Sequence, residues 1–475
     1  MRVLLISTYE LGHQPLHLAS PAARLRAGGH DVRSVDISIA DCEDALGEQD
    51  LSWADAVAFS VPMHTAMRLA LDIAARVRDA APDTPICFYG LYARVGASKF
   101  ANRAELIDKA IAGEYEDELV SWVDGHDATP SRYERVPPGE TVTTSIARTS
   151  FEVPDRHGLP GLDHYAQLDT GSERRLAGYT EATHGCVHRC RHCPLPPVYD
   201  GRVRTIDTEI VIADIAQQTE AGARHISFGD ADFLNAPRHA LRVVNAMREQ
   251  FDDLTFDVTV KVEHILKYDD AWPEFADAGC LFVVSAIECV SDDILALLDK
   301  GHTAADAATA VGLLRRHGIE IRPSLMPFTP WTDIQDVMDI CDFVIDNDLV
   351  ENVDPVQYSI RLLIPDGSLI LGIEGVEEFL RGYSADALSY LWQAPDPALD
   401  KLARGLATIA EAAAESGEPA FDTFTTMRKA VIAAGGAPKH DWPRPTKTTR
   451  EPVPSLTESW FCCAEPTTRQ RAATT

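Results

Sequence analysis

Two patterns alternate along most of this chain: short unbroken apolar runs, and longer stretches in which apolar residues recur three and four positions apart. The first marks strands buried on both faces and the second marks amphipathic helices. Over residues 1 to 125 the series predicts strands at Arg2–Ser7, Asp31–Asp36, Ala56–Ser60 and Ile86–Tyr89, with helices at Pro21–Gly28 and Thr65–Ala80. Strands interleaved with helices predict a doubly wound, Rossmann-like parallel sheet of the α/β class, which binds ligands at the carboxyl ends of its strands. Those ends are Tyr9–Pro15, Ser60–His64 and Gly90–Ala93.

Residues 126–175 turn rich in Pro, Gly and Thr, as a linker does. Alternation resumes over 176–370, with strands at Ala177–Thr183, His225–Phe228, Thr255–Val260, Leu281–Ile287, Glu320–Met326 and Gln357–Leu363, and helices at Thr208–Ala221, Ala304–His317 and Asp333–Asn347. Six such units predict a partial, open (β/α)6 barrel, because a closed eight-stranded barrel needs more chain. Residues 371–436 carry two amphipathic helices, Leu399–Glu415 and Thr423–Ala434. Residues 437–475 lack a core-forming pattern and read as a flexible tail, interrupted by Ser459-Trp-Phe-Cys-Cys-Ala-Glu-Pro466.

Composition narrows the class. The chain is 475 residues long and 45% apolar, has no run long enough to span a bilayer, and begins with a short apolar segment that reads as a strand rather than a signal peptide. A cytoplasmic protein without a membrane partner is expected. The net charge of -30 argues against nucleic acid, since phosphate binding depends on clustered Lys and Arg. Ten cysteines are too dispersed for a stapled secreted scaffold. Cys42, Cys87, Cys280, Cys289 and Cys341 lie in or beside apolar segments and read as small core residues.

The candidate chemistry is concentrated in Cys186, Cys190 and Cys193, within His-Gly-Cys-Val-His-Arg-Cys-Arg-His-Cys-Pro. Three thiolates on one loop can hold three corners of a [4Fe–4S] cluster and leave the fourth iron open. The interleaved His184, His188 and His192 keep a zinc site as the alternative, although no second metal hook follows nearby. No G-x-G-x-x-G follows the first strand and no Walker lysine is present, so a dinucleotide or nucleoside triphosphate fits poorly.

At the cysteine loop the sequence resembles the radical SAM superfamily, in which the open iron binds S-adenosylmethionine (SAM) and an electron cleaves it to a 5'-deoxyadenosyl radical. The N-terminal region resembles the cobalamin-binding domain often fused ahead of such barrels, on Ser60, Gly90 with Ala93, and Gly113-Glu114. Ser60 and Gly90 are the cobalamin contacts this implies. The Asp-x-His-x-x-Gly signature of a lower cobalt ligand is absent, and His13 and His64 are the loop histidines able to approach a corrin.

By the same resemblance Gly229, Asp230 and Asp232 meet the methionyl amino group of SAM and Glu288 meets its ribose. Lys261 and Glu263 either line the substrate cavity or pair with each other. Lys300-Gly-His-Thr303 matches a run of the family, and its value is recognition rather than chemistry. His192 replaces the Phe or Tyr common before the third cysteine. The tail resembles a group of B12-type radical SAM proteins ending in Cys-Cys-Ala-Glu-Pro, some with selenocysteine in place of the second cysteine, here Cys463; beside it Cys462 and Cys463 can equally be incidental thiols.

The whole implies a cobalamin-dependent radical SAM enzyme that functionalises an unactivated carbon, by methyl transfer or, in the same architecture, by cyclisation or oxidation. It implies an electron donor such as ferredoxin or flavodoxin and a small-molecule or peptide substrate. A non-catalytic corrinoid or metal redox sensor is the rival from another class.

Overall fold

The computed structural model describes residues 1–39, 46–95, 106–127, 142–441 and 452–458. Its first six strands are β1 (Arg2–Ser7), β2 (Asp31–Asp36), β3 (Ala56–Ser60), β4 (Ile86–Tyr89), β5 (Lys109–Gly113) and β6 (Val142–Ser145). They pair in parallel in the order β2-β1-β3-β4-β5-β6. The inner strands are apolar throughout because both faces are covered. Helices Leu16–Ala27 and Glu116–Asp127 pack Leu18, Leu25 and Leu119 on one face, and helix His64–Ala80 packs Met67, Leu71 and Ile73 on the other.

The predicted strands lie at the expected residues. The first helix begins at Leu16 rather than Pro21, because burial of Leu16 and Leu18 extends it and Pro21 is accommodated inside. The sheet also outgrows its predicted end. Strand β6 comes from the Pro- and Thr-rich linker, whose composition hid it.

A second sheet follows, containing β7 (Gln167–Asp169), β8 (Arg174–Thr180), β11 (His225–Phe228), β12 (Thr255–Thr259), β13 (Cys280–Glu288), β14 (Glu320–Leu325) and β17 (Ser455–Leu456). Between them in sequence are two small hairpins, β9 (Thr183–Gly185) with β10 (Val203–Thr205) and β15 (Leu380–Ser384) with β16 (Ser389–Trp392). The order is β14-β13-β12-β11-β8-β7-β17, parallel from β8 to β14 and antiparallel at β7 and β17.

Alternation sets which residues do chemistry. Asp257, Thr259, Phe282, Val284, Ala286, Arg322 and Ser324 face the barrel interior, whereas Phe256, Val258, Val283, Ile287, Ile321 and Leu325 face the helices.

The strand predicted at Gln357–Leu363 is a 3-10 turn, Pro355–Ser359, followed by one parallel bridge between Phe328 and Arg361. Asp354 caps the turn by accepting from the Val356 N–H, and the Gln357 Oε1 accepts the Leu325 N–H at 2.9 Å. A side chain thus supplies the bond that a sixth strand would have made. Helices Pro397–Ser416 and Ala420–Ala433 cover the barrel core as predicted, through Leu399, Leu406, Phe424 and Met427.

Residues 452–458, expected in the flexible tail, form the edge strand β17 and its flanks. Leu456 lies opposite Leu168 of β7 and packs with Phe282 and Val284 of β13, so the chain's end walls the open side of the barrel. Cys42, Cys462, Cys463 and the remainder of the Ser459–Pro466 run lie outside the described residues. Among the described residues no helix is long and apolar enough to cross a membrane.

Leu456→Asp would place a charge in this apolar cluster. We expect amide exchange at Thr457, whose N–H bonds the Gln167 carbonyl at 2.9 Å, to accelerate about tenfold or more by hydrogen-exchange mass spectrometry. Unchanged protection would show that the strand does not depend on this side chain.

Candidate functional site

The carboxyl ends of the two parallel sheets face a common cavity whose void, including its open mouth, is about 2380 Å³.

Cys186, Cys190 and Cys193 all line it. Their loop leaves the barrel on the β9–β10 hairpin and is pinned by two bonds of Arg191, from its N–H to the Leu298 carbonyl and from Nη1 to the Leu297 carbonyl, both 2.9 Å. The three thiols form no disulfide. Burial pushes the Cys186 thiol up to about 11, so coordination to a cation is what would hold it as thiolate.

The histidines that kept zinc open are engaged elsewhere. His184 lies between Glu114 (3.0 Å) and Glu181 (3.2 Å), His188 meets His264 at 3.2 Å, and the Nε2 of His192 meets Glu288 at 3.1 Å. The three sulfurs are the donor set on this loop that suits an open-cornered iron–sulfur cluster, while His188 groups with Asp232 and His264, whose potential ligand atoms all lie within 4.8 Å of one another.

Glu288 ends β13 where the register with β14 shifts, and its φ of 67° is left-handed for a residue with a Cβ. That bulge turns its carboxylate into the cavity. Its Oε1 accepts from His192 Nε2 and from Lys300 Nζ at 3.0 Å. Burial would raise its pKa, but Lys300 and His192 outweigh burial and hold it well below the usual carboxylate range. Lys300, 2% exposed, is in turn held charged against burial by Glu288 and the Cys190 and Cys193 sulfurs. The sequence run around Lys300 thus carries charge into the site.

Gly229 and Asp230 line the cavity at the end of β11. A Cβ at Gly229 would lie 1.9 Å from the Tyr179 hydroxyl, which explains the glycine. Asp230 accepts from the Ala182 N–H (2.9 Å) and Thr183 Oγ1 (2.6 Å), and burial raises it to about 7. Asp232 does not line the cavity. Fully buried, it caps the turn at Leu234 and lies 2.9 Å from His264 Nδ1. Lys261 lines the cavity and also pairs with Glu263 at 3.5 Å.

On the first sheet, Ser60 and Gly90 do not line the cavity; they precede, by two residues and one, the wall formed by Pro62, Met63, Leu91 and Tyr92. Gly90, at φ 111°, brings its backbone against Val61, where a Cβ would stand 3.2 Å away. This apolar ledge, continued by Tyr115 and Tyr199, offers a broad face to a flat macrocycle. His13 lines the cavity, stacked on Tyr179 at 4.5 Å, and burial lowers it to about 4. His64 is turned away, with Nε2 at 2.8 Å from the Ala387 carbonyl.

A buried ion chain that sequence reading missed joins the domains. Glu10 meets His17 (2.6 Å), His17 approaches Glu181 (3.7 Å), Glu181 meets His184, and His184 meets Glu114. Burial works against a charged His17, but Glu10 and Glu181 raise it to about 9. These residues are scattered between positions 10 and 184 of the sequence and have no motif.

Residues 2–122 match the B12 binding domain and residues 180–344 match the Radical SAM superfamily. Hopanoid C-3 methylase of Methylococcus capsulatus is 22% identical over 67% of this chain and 62% of that protein. Hopanoid C-2 methylase of Rhodopseudomonas palustris is 24% identical over 61% and 52%, and a candidate methylthiotransferase of Methanocaldococcus jannaschii 26% identical over 46% and 49%. The chain spans less than two thirds of the length of each of these relatives.

Among solved structures, TsrM from Kitasatospora setae, a radical SAM methyltransferase with tryptophan substrate and a SAM analogue bound, superposes with a TM-score of 0.66 at 16% identity over 87% of this chain and 90% of that one. OxsB, a cobalamin-dependent SAM radical enzyme with aqua-cobalamin and SAM bound, gives 0.68 at 14% identity over 91% and 72%. At these identities the likeness is one of fold.

His17 has a raised folded pKa, so its contribution to stability is fully present below about pH 6.5, the unfolded value, and is lost as pH rises through about 9. Urea unfolding should show stability falling between these limits. His17→Gln should be less stable at pH 6.5 and flatter across the window; an equally steep variant would remove His17 as the cause.

Proposed function

We infer that this chain, which carries a B12 binding domain ahead of a radical SAM domain, is a cobalamin-dependent radical SAM enzyme that installs a methyl group at an unactivated carbon of its substrate. The observation that supports this most directly is that three thiols on one loop, none of them in a disulfide, and the carboxyl edge of the B12 binding domain open into one cavity. When bound, the cofactors would supply reductive cleavage of SAM, abstraction of hydrogen and a transferable methyl group.

Cys186, Cys190 and Cys193 would hold the cluster. Glu288, kept anionic by Lys300 and His192, is an acceptor only, which suits hydroxyl donors such as those of a ribose. Asp230 is fixed by Ala182 and Thr183 beside Gly229, and a carboxylate there suits an ammonium. The ledge of Pro62, Met63, Leu91 and Tyr92, backed by Ser60 and Gly90, would carry the corrin.

Exclusion of water falls to the domain junction. Arg156 of the linker bonds Asp214 (2.7 and 2.8 Å), Gln14 (2.9 Å) and the Tyr179 carbonyl (2.6 Å), closing the cavity's flank. Dry walls protect a reactive species from side reactions. The methylase and methyltransferase names among the similar proteins favour methyl transfer over cyclisation or oxidation.

After anaerobic reconstitution, the wild type should bind a [4Fe–4S] complement of iron and form 5'-deoxyadenosine from SAM. The Cys186→Ala, Cys190→Ala, Cys193→Ala variant should lose the iron and reduce that product by about 100-fold or more. Incubation of substrate-bearing extract with methyl-labelled SAM should place label in a product. Iron without 5'-deoxyadenosine would point to the sensor, and 5'-deoxyadenosine with no labelled product would remove methyl transfer.

A further inference from the structure

Most deeply placed cations in the described structure have evident partners. Arg156 is saturated by Asp214, Gln14 and a carbonyl, Lys300 has Glu288, and Arg428 has the His440 carbonyl at 2.6 Å with Asp342 at 3.8 Å. Arg322 is different. It is the third residue of β14, pairs in register with Val284, and faces the barrel interior while its neighbour Ile321 is wholly buried among the helices.

Its one hydrogen bond among the described residues is a long one, Nη1 to the Pro454 carbonyl at 3.5 Å, and no described carboxylate lies within 4 Å of it. A guanidinium has five N–H donors. Burial lowers the Arg322 pKa, opposed at longer range by Asp354 and Asp257. Both acids already have bonds of their own: Asp354 accepts from the Val356 N–H, and Asp257 Oδ1 accepts from Ser227 Oγ and meets His225 Nε2. Although deep in the fold, Arg322 is only partly covered by protein, and it lines the cavity. A desolvated charge left unpaired is costly.

The surroundings of Arg322 are apolar on one side. Phe282 and Val284 on β13 and Leu456 on β17 form a single cluster along the cavity wall. We propose that Arg322 anchors the anionic head group of the substrate, a carboxylate or a phosphate ester, with the apolar body of that substrate lying along Phe282, Val284 and Leu456. The proposal rests on the catalytic reading above and names the substrate class of the same site. Glu288 pairs with Leu325, three positions along β14 from Arg322. At about 3.3 Å per residue the backbone of Arg322 lies about 10 Å below the level of Glu288 along β14.

The probes are decanoate, decyl phosphate and decanol, titrated calorimetrically into the reconstituted full chain. The wild type should bind at least one of the two acids about tenfold or more tightly than decanol. Decanoate alone would mark a carboxylate head, and decyl phosphate alone would mark a phosphate ester. Arg322→Gln should lose that preference, and Arg322→Lys, which keeps the charge, should retain part of it. Decanol binding as tightly as both acids in the wild type overturns the proposal without need of a variant, as does full acid binding by Arg322→Gln. Iron content and 5'-deoxyadenosine formation are measured on the same preparation. If both persist while acid preference is absent, the head-group site fails and the radical SAM reading stands; if acids bind but SAM is not cleaved, the reverse holds.

Discussion

The ion chain Glu10–His17–Glu181–His184–Glu114 is the constraint around which the site is organised, because Glu10, His17 and Glu114 come from the first domain and Glu181 and His184 from the barrel. A carboxylate or imidazolium buried at such a junction is tolerated only when its opposite number is placed within reach. The two domains are therefore held with their carboxyl edges face to face. Two edges that each bind ligands then enclose one cavity. Apolar contact alone would leave that orientation less sharply defined, since apolar surfaces slide at little cost.

The same electrostatic rule recurs at the cluster loop. Glu288 occupies a left-handed backbone conformation, which costs on the order of 1–3 kcal/mol for a residue with a side chain. In return its carboxylate meets Lys300 and His192, two groups that would otherwise be buried beside the cysteines without a partner. Three histidines in the cysteine loop could have competed for a metal. His184 and His192 are drawn to carboxylates, and His188 sits with Asp232 and His264 in a group of possible donors of its own. Arg322 stands apart from this economy of paired charges, and that exception singles out the deep end of the barrel.

The strands and helices of both sheets were legible from periodicity because buried parallel strands are apolar throughout and their helices are amphipathic. The cysteine triad was legible because cluster binding demands ligands on one short loop. Strands β6, β7 and β17 were not: β6 and β17 are edge strands of four and two residues, and β7, held between β8 and β17, has only three. Gln357–Leu363 misled for the opposite reason. It has a strand's composition, but Pro355 and the Gln357 side chain satisfy the backbone another way.

The sequence by itself determined the two-sheet α/β plan, the order of the B12 binding and radical SAM domains and the close spacing of Cys186, Cys190 and Cys193, all of which depend on local pattern. Tertiary structure alone decided that Asp232 is buried beside His264, that Lys300 and His192 converge on Glu288, and that the chain's end returns to wall the barrel. It also decided that Arg322 faces a cavity with no carboxylate within 4 Å among the described residues. These are pairings between residues tens to hundreds of positions apart. They are set by which charged groups become neighbours once both sheets have curled and docked, and no local pattern encodes that.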